Sequence, residues 1–398
     1  MRYDNNLRYA VNIIKEYNGQ QTLAVWLKQF FKENKQMGSG DRRLVSDMVY
    51  SFYRLGRAGN DLSVDQKILI GIYLCHKVAT PILEYFKPLW HQEIGAELPR
   101  KLALLKEQEG IDMALDNIFP YKALLSKGID AKGFELSFLN QPKLFIRIRP
   151  GKKRSVVRKL KEANIEYTEL DENCFSLQNS TKASDVLNID VEAVIQDHSS
   201  QQAGIILHSK YVNTPCPKIA WDCCAGSGGK AIMVYDLFRG IKLTVSDKRK
   251  LILENLHSRF LKAGIKKYHS CILNLSDHGY KLPENIPKQY DLIICDAPCT
   301  GSGTWSRTPE QLYFFKTSDI ERYSLLQRQI IENILPHLAP GGKLLYITCS
   351  VFKKENEEVV EFMNDSLQLM VETSVLLKGY DLGADSMFVA ILSKSLNS

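Results

Sequence analysis

Three side chains in this sequence have the types and the setting for nucleophilic chemistry. The stretch YDLIICDAPCTGSGT, Tyr290 to Thr304, passes from a short apolar run into a loop holding Asp296, Pro298, Cys299 and two glycines. Leu292 to Cys295 reads as a buried strand, so a carboxylate and a thiol stand at its carboxyl end. That edge of an open α/β sheet is where ligands bind. Cys349 ends a second apolar run, KLLYITCS, in the same way. An acid and two thiols at two strand ends fit methyl transfer to C5 of a pyrimidine. C5 is too poor a nucleophile to take a methyl group unaided. A thiolate that adds to C6 makes the ring enamine-like and nucleophilic at C5. A carboxyl group on the ring's N3 and N4 edge would stabilise the charge that develops. A base must then remove the C5 proton so that the thiol can leave. The residues alone leave open which cysteine attacks.

WDCCAGSGGK, Trp221 to Lys230, reads as a strand, a glycine-rich turn and the start of a helix. Gly226, Gly228 and Gly229 let the backbone approach a ligand without a Cβ in the way, and helix amides then face it. Asp247 follows Gly226 by 21 residues, at the tip of the next strand. There an acid accepts hydrogen bonds from ribose hydroxyls. This pattern suits NAD and S-adenosylmethionine alike. A dehydrogenase needs groups that handle a hydride and an alcohol proton. Asp296, Cys299 and Cys349 at the same edge point instead to S-adenosylmethionine.

The elements that must carry these groups divide the chain into three. Residues 1–135 read as all-helical, with apolar residues at three- and four-residue spacing in LRYAVNIIKEY and TLAVWLKQFFKEN. In GSGDRRLVSDMVYSFYRLGR, Asp41 stands where an N-cap would. Residues 136–200 form a small α/β module. PKLFIRIRP alternates Leu144, Ile146 and Ile148 with Phe145, Arg147 and Arg149, the period of a strand with one basic face. GKKRSVVRKLKEANI continues as a basic amphipathic helix, and YTELDENCFSLQN as two short strands. Between Lys143 and Lys161 stand nine Lys or Arg and no Asp or Glu, a run that suits a polyanion. A module of this kind can grip an RNA backbone. Residues 201–398 alternate strands and helices, which predicts a mostly parallel, doubly wound sheet.

Composition sets the outer limits. Of the 398 residues, 44% are hydrophobic and 24% charged, as in an ordinary globular protein. No apolar run approaches the roughly 20 residues that span a bilayer, and the start lacks a signal-peptide core. The nine cysteines are odd in number and no Cys-x-x-Cys pair occurs, which argues against a disulfide framework and against zinc. The expected compartment is the cytoplasm.

The sequence resembles the Sun-type RNA cytosine-5 methyltransferases, which include the bacterial 16S rRNA methyltransferase B group. DAPCTGSGTWSRTPE, YITCSVFKKENEEVV, DCCAGSGGK and SDKRKLILENLHSR look like four of that family's blocks. PKLFIRIRP is similar to its RNA-binding segment, and the helical region looks like its NusB-like domain. The resemblance implies a Rossmann-like class I methyltransferase domain, a small RNA-binding α/β module and an all-helical N-terminal domain. It implies Cys349 as nucleophile, Cys299 as the thiol that helps release product, and Asp296 at target base and cofactor pocket. Cys224, Ala225, Gly226, Ser227, Gly228, Gly229 and Lys230 would form the cofactor loop, and Asp247 would hold the ribose. Asn274 stands where the family has an acid for the adenine edge, and Gly226-Ser227 replaces its Ala-Pro pair. Ser306-Arg307 replaces an Arg pair, leaving Arg307 to join Arg147, Arg149, Lys152, Lys153 and Arg154 on RNA. The implied partner of this monomer is RNA, foremost 16S rRNA, with no DNA, membrane or metal. Alternatives are a tRNA or other rRNA target, or a non-catalytic RNA-binding protein of ribosome assembly.

Overall fold

The structure is a computed structural model that describes residues 2–395. It comprises two compact units, each assembled from separate stretches of chain.

The first unit combines residues up to Ala123 with Asp130–Gln141 and Thr304–Lys316. It is helical, as its apolar spacing predicts. The helix Val64–Cys75 opens on a capping box, in which the Ser63 side chain and the Gln66 side chain each take the other's backbone N–H. Asp41 is not the cap of the helix Ser39–Arg54; Gly38 holds that position. Asp41 sits in the first turn instead, where negative charge suits the helix dipole, and accepts from Arg2 Nε at 2.9 Å. The segment Thr304–Lys316, far away in sequence, completes this unit. Its buried Glu310 accepts the Leu23 N–H at 3.1 Å, and the Tyr313 ring packs 5.5 Å from that of Tyr53.

The second unit holds two sheets. The smaller consists of β1 (Leu144–Ile148), β2 (Tyr167–Asp171), β3 (Cys174–Leu177) and β4 (Ala193–Ile195). They are ordered β2-β3-β1-β4, every pair antiparallel. The larger consists of β5 (Ile219–Asp222), β6 (Lys242–Asp247), β7 (Tyr268–Ile272), β8 (Tyr290–Asp296), β9 (Leu338–Thr348), β10 (Met370–Leu377) and β11 (Met387–Ser393). Its order is β10-β11-β9-β8-β5-β6-β7. β5 to β9 pair in parallel, and β11 and β10 extend the sheet antiparallel. The continuous apolar run of β8 follows from burial on both faces. Leu292 and Ile294 enter one core, Ile293 and Cys295 the other. β5 and β8 lie side by side although two strands separate them in sequence. This is the point where strand order reverses, and ligands bind at the carboxyl ends beside it.

The segment 136–200, set apart in the sequence, lies within this second unit from Pro142 onward. The reason corrects one expectation. β1 has no free basic face, because its second face packs inward. Arg147 is buried, with Nε on Gln196 Oε1 at 2.7 Å and Nη1 on Asp236 Oδ2 at 2.8 Å. Arg149 places Nη2 on Asp236 Oδ1 at 2.7 Å and Nη1 on the Ala263 carbonyl at 2.8 Å. Asp236 belongs to the helix Gly229–Leu237, so the two arginines fasten the small sheet to the large one. Among the described residues, no helix is long and apolar enough to cross a membrane.

Candidate active site

β8 and β9 are parallel neighbours, with Asp296 opposite Ile347. The loops that leave their carboxyl ends therefore start together. The Ala297 N–H donates to the Ile347 carbonyl at 2.9 Å, and the Gly303 N–H to the Cys349 carbonyl at 2.8 Å. Gly303 is irreplaceable here, since a Cβ would sit 2.0 Å from the Ser386 carbonyl oxygen. This double tie sets the loops that carry Cys299 and Cys349 side by side. The neighbouring Cys299 thiol pushes the Cys349 thiol well above its ordinary range, helped by burial and the Asp296 charge; the Lys230 ammonium opposes them. Asp296 lies beside the pair, its Oδ2 3.0 Å from Lys230 Nζ. Burial works against charge on Lys230, but Asp296 and Cys349 outweigh it and raise its pKa.

A buried acid that the sequence reading passed over organises both loops. Glu355 accepts the Thr300 N–H at 2.8 Å, the Thr300 hydroxyl at 2.6 Å and the Ser350 hydroxyl at 2.5 Å. Gln327 joins it to the Pro298 carbonyl, donating to that oxygen at 2.9 Å and to Glu355 at 3.3 Å. Asn356 adds bonds to Thr348 and to the Ser350 carbonyl. In the sequence, KKENEE reads as a charged helix face. Only the hydroxyl-rich loops on either side hint at a partner for one of its acids.

The glycine-rich loop lies at the neighbouring strand end. Gly228, at φ 86°, caps the helix Gly229–Leu237, and a Cβ there would meet Leu256 and Phe260 at 2.9 Å. The Ala225 N–H bonds to the Ser246 carbonyl at 2.9 Å, and Ser227 accepts from Arg259 Nη1 at 3.0 Å. Lys230, the last residue of the loop, points to Asp296, so loop and β8 meet in one ion pair. Asp222, at the end of β5, is fully buried, and neither carboxylate oxygen has a hydrogen-bond partner among the described residues. Burial holds it far above the usual carboxylate range. A loop open to a ligand's backbone contacts, above a buried acid with unused oxygens, fits a nucleoside cofactor.

Asp247 is placed as expected but is fully engaged. Its oxygens accept the Gly226 N–H at 3.0 Å and, from Arg249, the N–H, Nε and Nη2, each at 2.9 Å. A carboxylate has about four acceptor sites, so ribose hydroxyls require Arg249 to yield. Its side chain is 58% exposed and free to do so. Burial would raise the Asp247 pKa, but these hydrogen bonds hold it below the ordinary value. Asn274 follows β7, exposed, with Oδ1 accepting from the Ser276 hydroxyl at 2.8 Å.

The residues expected on RNA separate into groups. Arg147 and Arg149 are structural, as described. Lys152 and Arg154 are exposed at the start of the helix Lys153–Glu162, and Lys153 is paired with Glu169. Arg307 belongs to the segment that completes the helical unit. Spacing did not show a further group: the sulfurs of Cys223, Cys224 and Cys295 all lie within 4.8 Å of one another.

The description "16S rRNA methyltransferase RsmB/F" fits residues 212–387 of this chain. Ribosomal RNA small subunit methyltransferase B of Shewanella oneidensis is 31% identical over 188 residues, 46% of this chain and 41% of that protein. The chain thus spans less than half of that relative. The probable ribosomal RNA small subunit methyltransferase B of Bacillus subtilis is 29% identical over 395 residues, 87% of this chain and 85% of its own. Among solved structures, a methyltransferase homolog from Pyrococcus horikoshii covers 69% of this chain and 93% of its own, with TM-score 0.57 and 20% identity. NSun6 from the same organism, solved with SFG, covers 69% and 96%, with TM-score 0.57 and 16% identity. These structures share the Rossmann-like fold. Over residues 212–387 the chain is therefore similar to the RsmB/F family of S-adenosylmethionine-dependent methyltransferases, in keeping with the Sun-type resemblance of its sequence blocks.

Proposed function

We propose that this chain methylates C5 of a cytosine in RNA, with small-subunit ribosomal RNA as the substrate, through a covalent adduct between Cys349 and C6 of the base. The observation that carries this reading is the pairing of the two strand ends that bear Cys299 and Cys349, with their loops tied together beside Asp296. Two thiols in one site are superfluous for methyl transfer to an oxygen or a nitrogen. They can supply the nucleophile and the base that addition and elimination at a pyrimidine require. The resemblance of the Thr-Cys-Ser block and the small-subunit ribosomal RNA methyltransferases among the similar proteins support the rest.

S-adenosylmethionine bound at the glycine loop would supply an electrophilic methyl group. The loop 224–230 and Asp247 hold it, once Arg249 has turned away. The target base must leave its stack to reach strand ends inside a crevice. Asp296 binds its polar edge. Cys349 gives up its proton to solvent and attacks C6 as the thiolate, which the Lys230 ammonium favours. Cys299, on the loop tied to that of Cys349, stands near C6 and C5 of a base bonded there. As a thiolate it takes the C5 proton, and the C6–sulfur bond breaks. Glu355 does not touch the base. It fixes the two loops so that the thiols stay together.

Bisulfite mapping of RNA from cells with and without this protein tests the reading. A protected cytosine in 16S rRNA should lose protection when the gene is deleted. A protected site in tRNA or another rRNA instead would move the substrate. If no cytosine changes, and purified protein transfers no labelled methyl group to total RNA, the catalytic reading fails.

A further inference from the structure

We propose that Cys223, Cys224 and Cys295 form a binding site for a single copper(I) ion, held by three sulfurs at the root of the glycine loop. The three sulfurs lie within 4.8 Å of one another. A metal–sulfur distance of about 2.3 Å places three trigonal ligands about 4.0 Å apart. The widest pair therefore has less than about 1 Å to close, within reach of small χ1 changes.

The backbone already aligns two of the three. Cys223 and Cys295 belong to adjacent parallel strand ends, where the Cys223 N–H donates to the Ile294 carbonyl at 3.0 Å. Both side chains are buried in the same core, on the face shared with Trp221, Ile293 and Tyr346. Cys224 packs against that core and is partly exposed, which provides the access route. Among the described residues, no histidine, aspartate or glutamate joins the group. Zinc in structural sites takes four ligands. A closed set of three soft sulfurs suits copper(I), which thiolates select. Binding forms three sulfur–copper bonds, and the displaced thiol protons pass to solvent past Cys224. The ion is taken up as copper(I), so no electron is transferred. Cysteine also serves as a small apolar filler, and the experiment must separate the two roles.

The test uses the full chain with Cys299→Ser and Cys349→Ser, so that the other thiol pair cannot take up metal. Copper(I) is added without oxygen, against a competing chelator such as bicinchoninate. The expected result is one copper retained per chain through gel filtration, with thiolate-to-copper absorption in the near ultraviolet. Adding Cys223→Ala and Cys295→Val should abolish both signals while the circular dichroism stays unchanged. If that variant does not fold, the unaltered chain is alkylated as it unfolds, with and without copper(I). Copper must then protect Cys223, Cys224 and Cys295 together. No retained copper, equal retention without Cys223 and Cys295, or retention of zinc in preference to copper would each overturn the proposal.

Discussion

Lys230 Nζ lies 3.0 Å from Asp296 Oδ2, and this one pair joins the glycine loop to the strand end that carries the thiols. The ammonium also acts on Cys349, whose pKa it lowers against the opposing influences of Cys299, burial and Asp296. Lys230→Met should move the pH midpoint of Cys349 alkylation upward. Cys299→Ala should move it downward, because the largest raising influence is the neighbouring Cys299 thiol. Iodoacetamide rates against pH, read by mass spectrometry, give both signs. Midpoints that do not move would remove Lys230 and Cys299 from the activation of Cys349.

The two thiols should differ in kind when replaced. Cys349→Ala should abolish methylation and form no adduct. Cys299→Ala leaves attack and transfer possible but blocks elimination. It should accumulate as a cofactor-dependent protein–RNA complex that survives a denaturing gel and vanishes with RNase. An adduct from the Cys349 variant, and none from the Cys299 variant, would reverse the roles.

Asp247 and Arg249 give opposite expectations for cofactor affinity. Asp247→Ala removes charge-assisted hydrogen bonds of about 1.5–3 kcal/mol each and should weaken binding at least tenfold. Arg249→Ala removes the group that fills the carboxylate, so S-adenosylmethionine should bind equally well or more tightly. Calorimetry with both variants decides. A large loss on Arg249→Ala would mean that the guanidinium itself holds the ligand.

The basic stretch should split by burial. Replacing Lys152, Lys153 and Arg154 with Ala should weaken RNA binding and lower its salt slope by about 0.7 to 0.9 per lost phosphate contact. Arg147→Ala should act on folding, since it leaves Asp236 with one partner fewer. Removing one member of a buried pair costs about 3–5 kcal/mol, visible in urea unfolding without RNA. An unchanged salt slope in the first variant would return these residues to the role of a solvated surface.

Glu192 sets a pH limit on the small sheet. Burial opposes its charge, but Lys159, the Ser155 hydroxyl and the Asn188 N–H outweigh it, lowering its pKa from 4.5 to about 2. A depressed carboxyl pKa contributes stability that is complete above the unfolded value and fades as pH falls through the folded one. Between about pH 4.5 and 2 the protein should thus lose on the order of 2–3 kcal/mol from this group. Glu192→Gln should be less stable at pH 7 and lose less on acidification, as urea midpoints would show. Equal slopes for both proteins would contradict this.

Local pattern carried the large sheet. The four apolar runs ending in Asp222, Asp247, Asp296 and Thr348 are inner parallel strands, because strands buried on both faces leave continuous apolar stretches. β10 gives no such signal, because MVETSVLL is a half-exposed edge strand whose charge and hydroxyls dilute the pattern. The site divides the same way. Glycines and acids at strand ends are local signals. The burial of Arg147 depends on Asp236, 89 residues away, and Glu355 looks like any surface acid until its three donors converge. The Cys223, Cys224 and Cys295 group exists only because β5 and β8 are neighbours across the reversal of strand order.

The placement of Thr304–Lys316 in the helical unit has a consequence for biosynthesis. On the ribosome, the first 141 residues emerge without the segment that supplies Glu310 and Tyr313. Leu23 then lacks its acceptor and Tyr53 its neighbour until Lys316 has left the exit tunnel. Domains made contiguously can fold as soon as they appear; this one must wait for most of the chain. In pulse-proteolysis of stalled nascent chains, the helical region should stay sensitive at 300 residues and become resistant only beyond about 350, once the tunnel's length of roughly 30 residues is cleared. An early-folding helical intermediate would need to be held open, or chaperoned, through the synthesis of the strand end that bears the first active-site thiol.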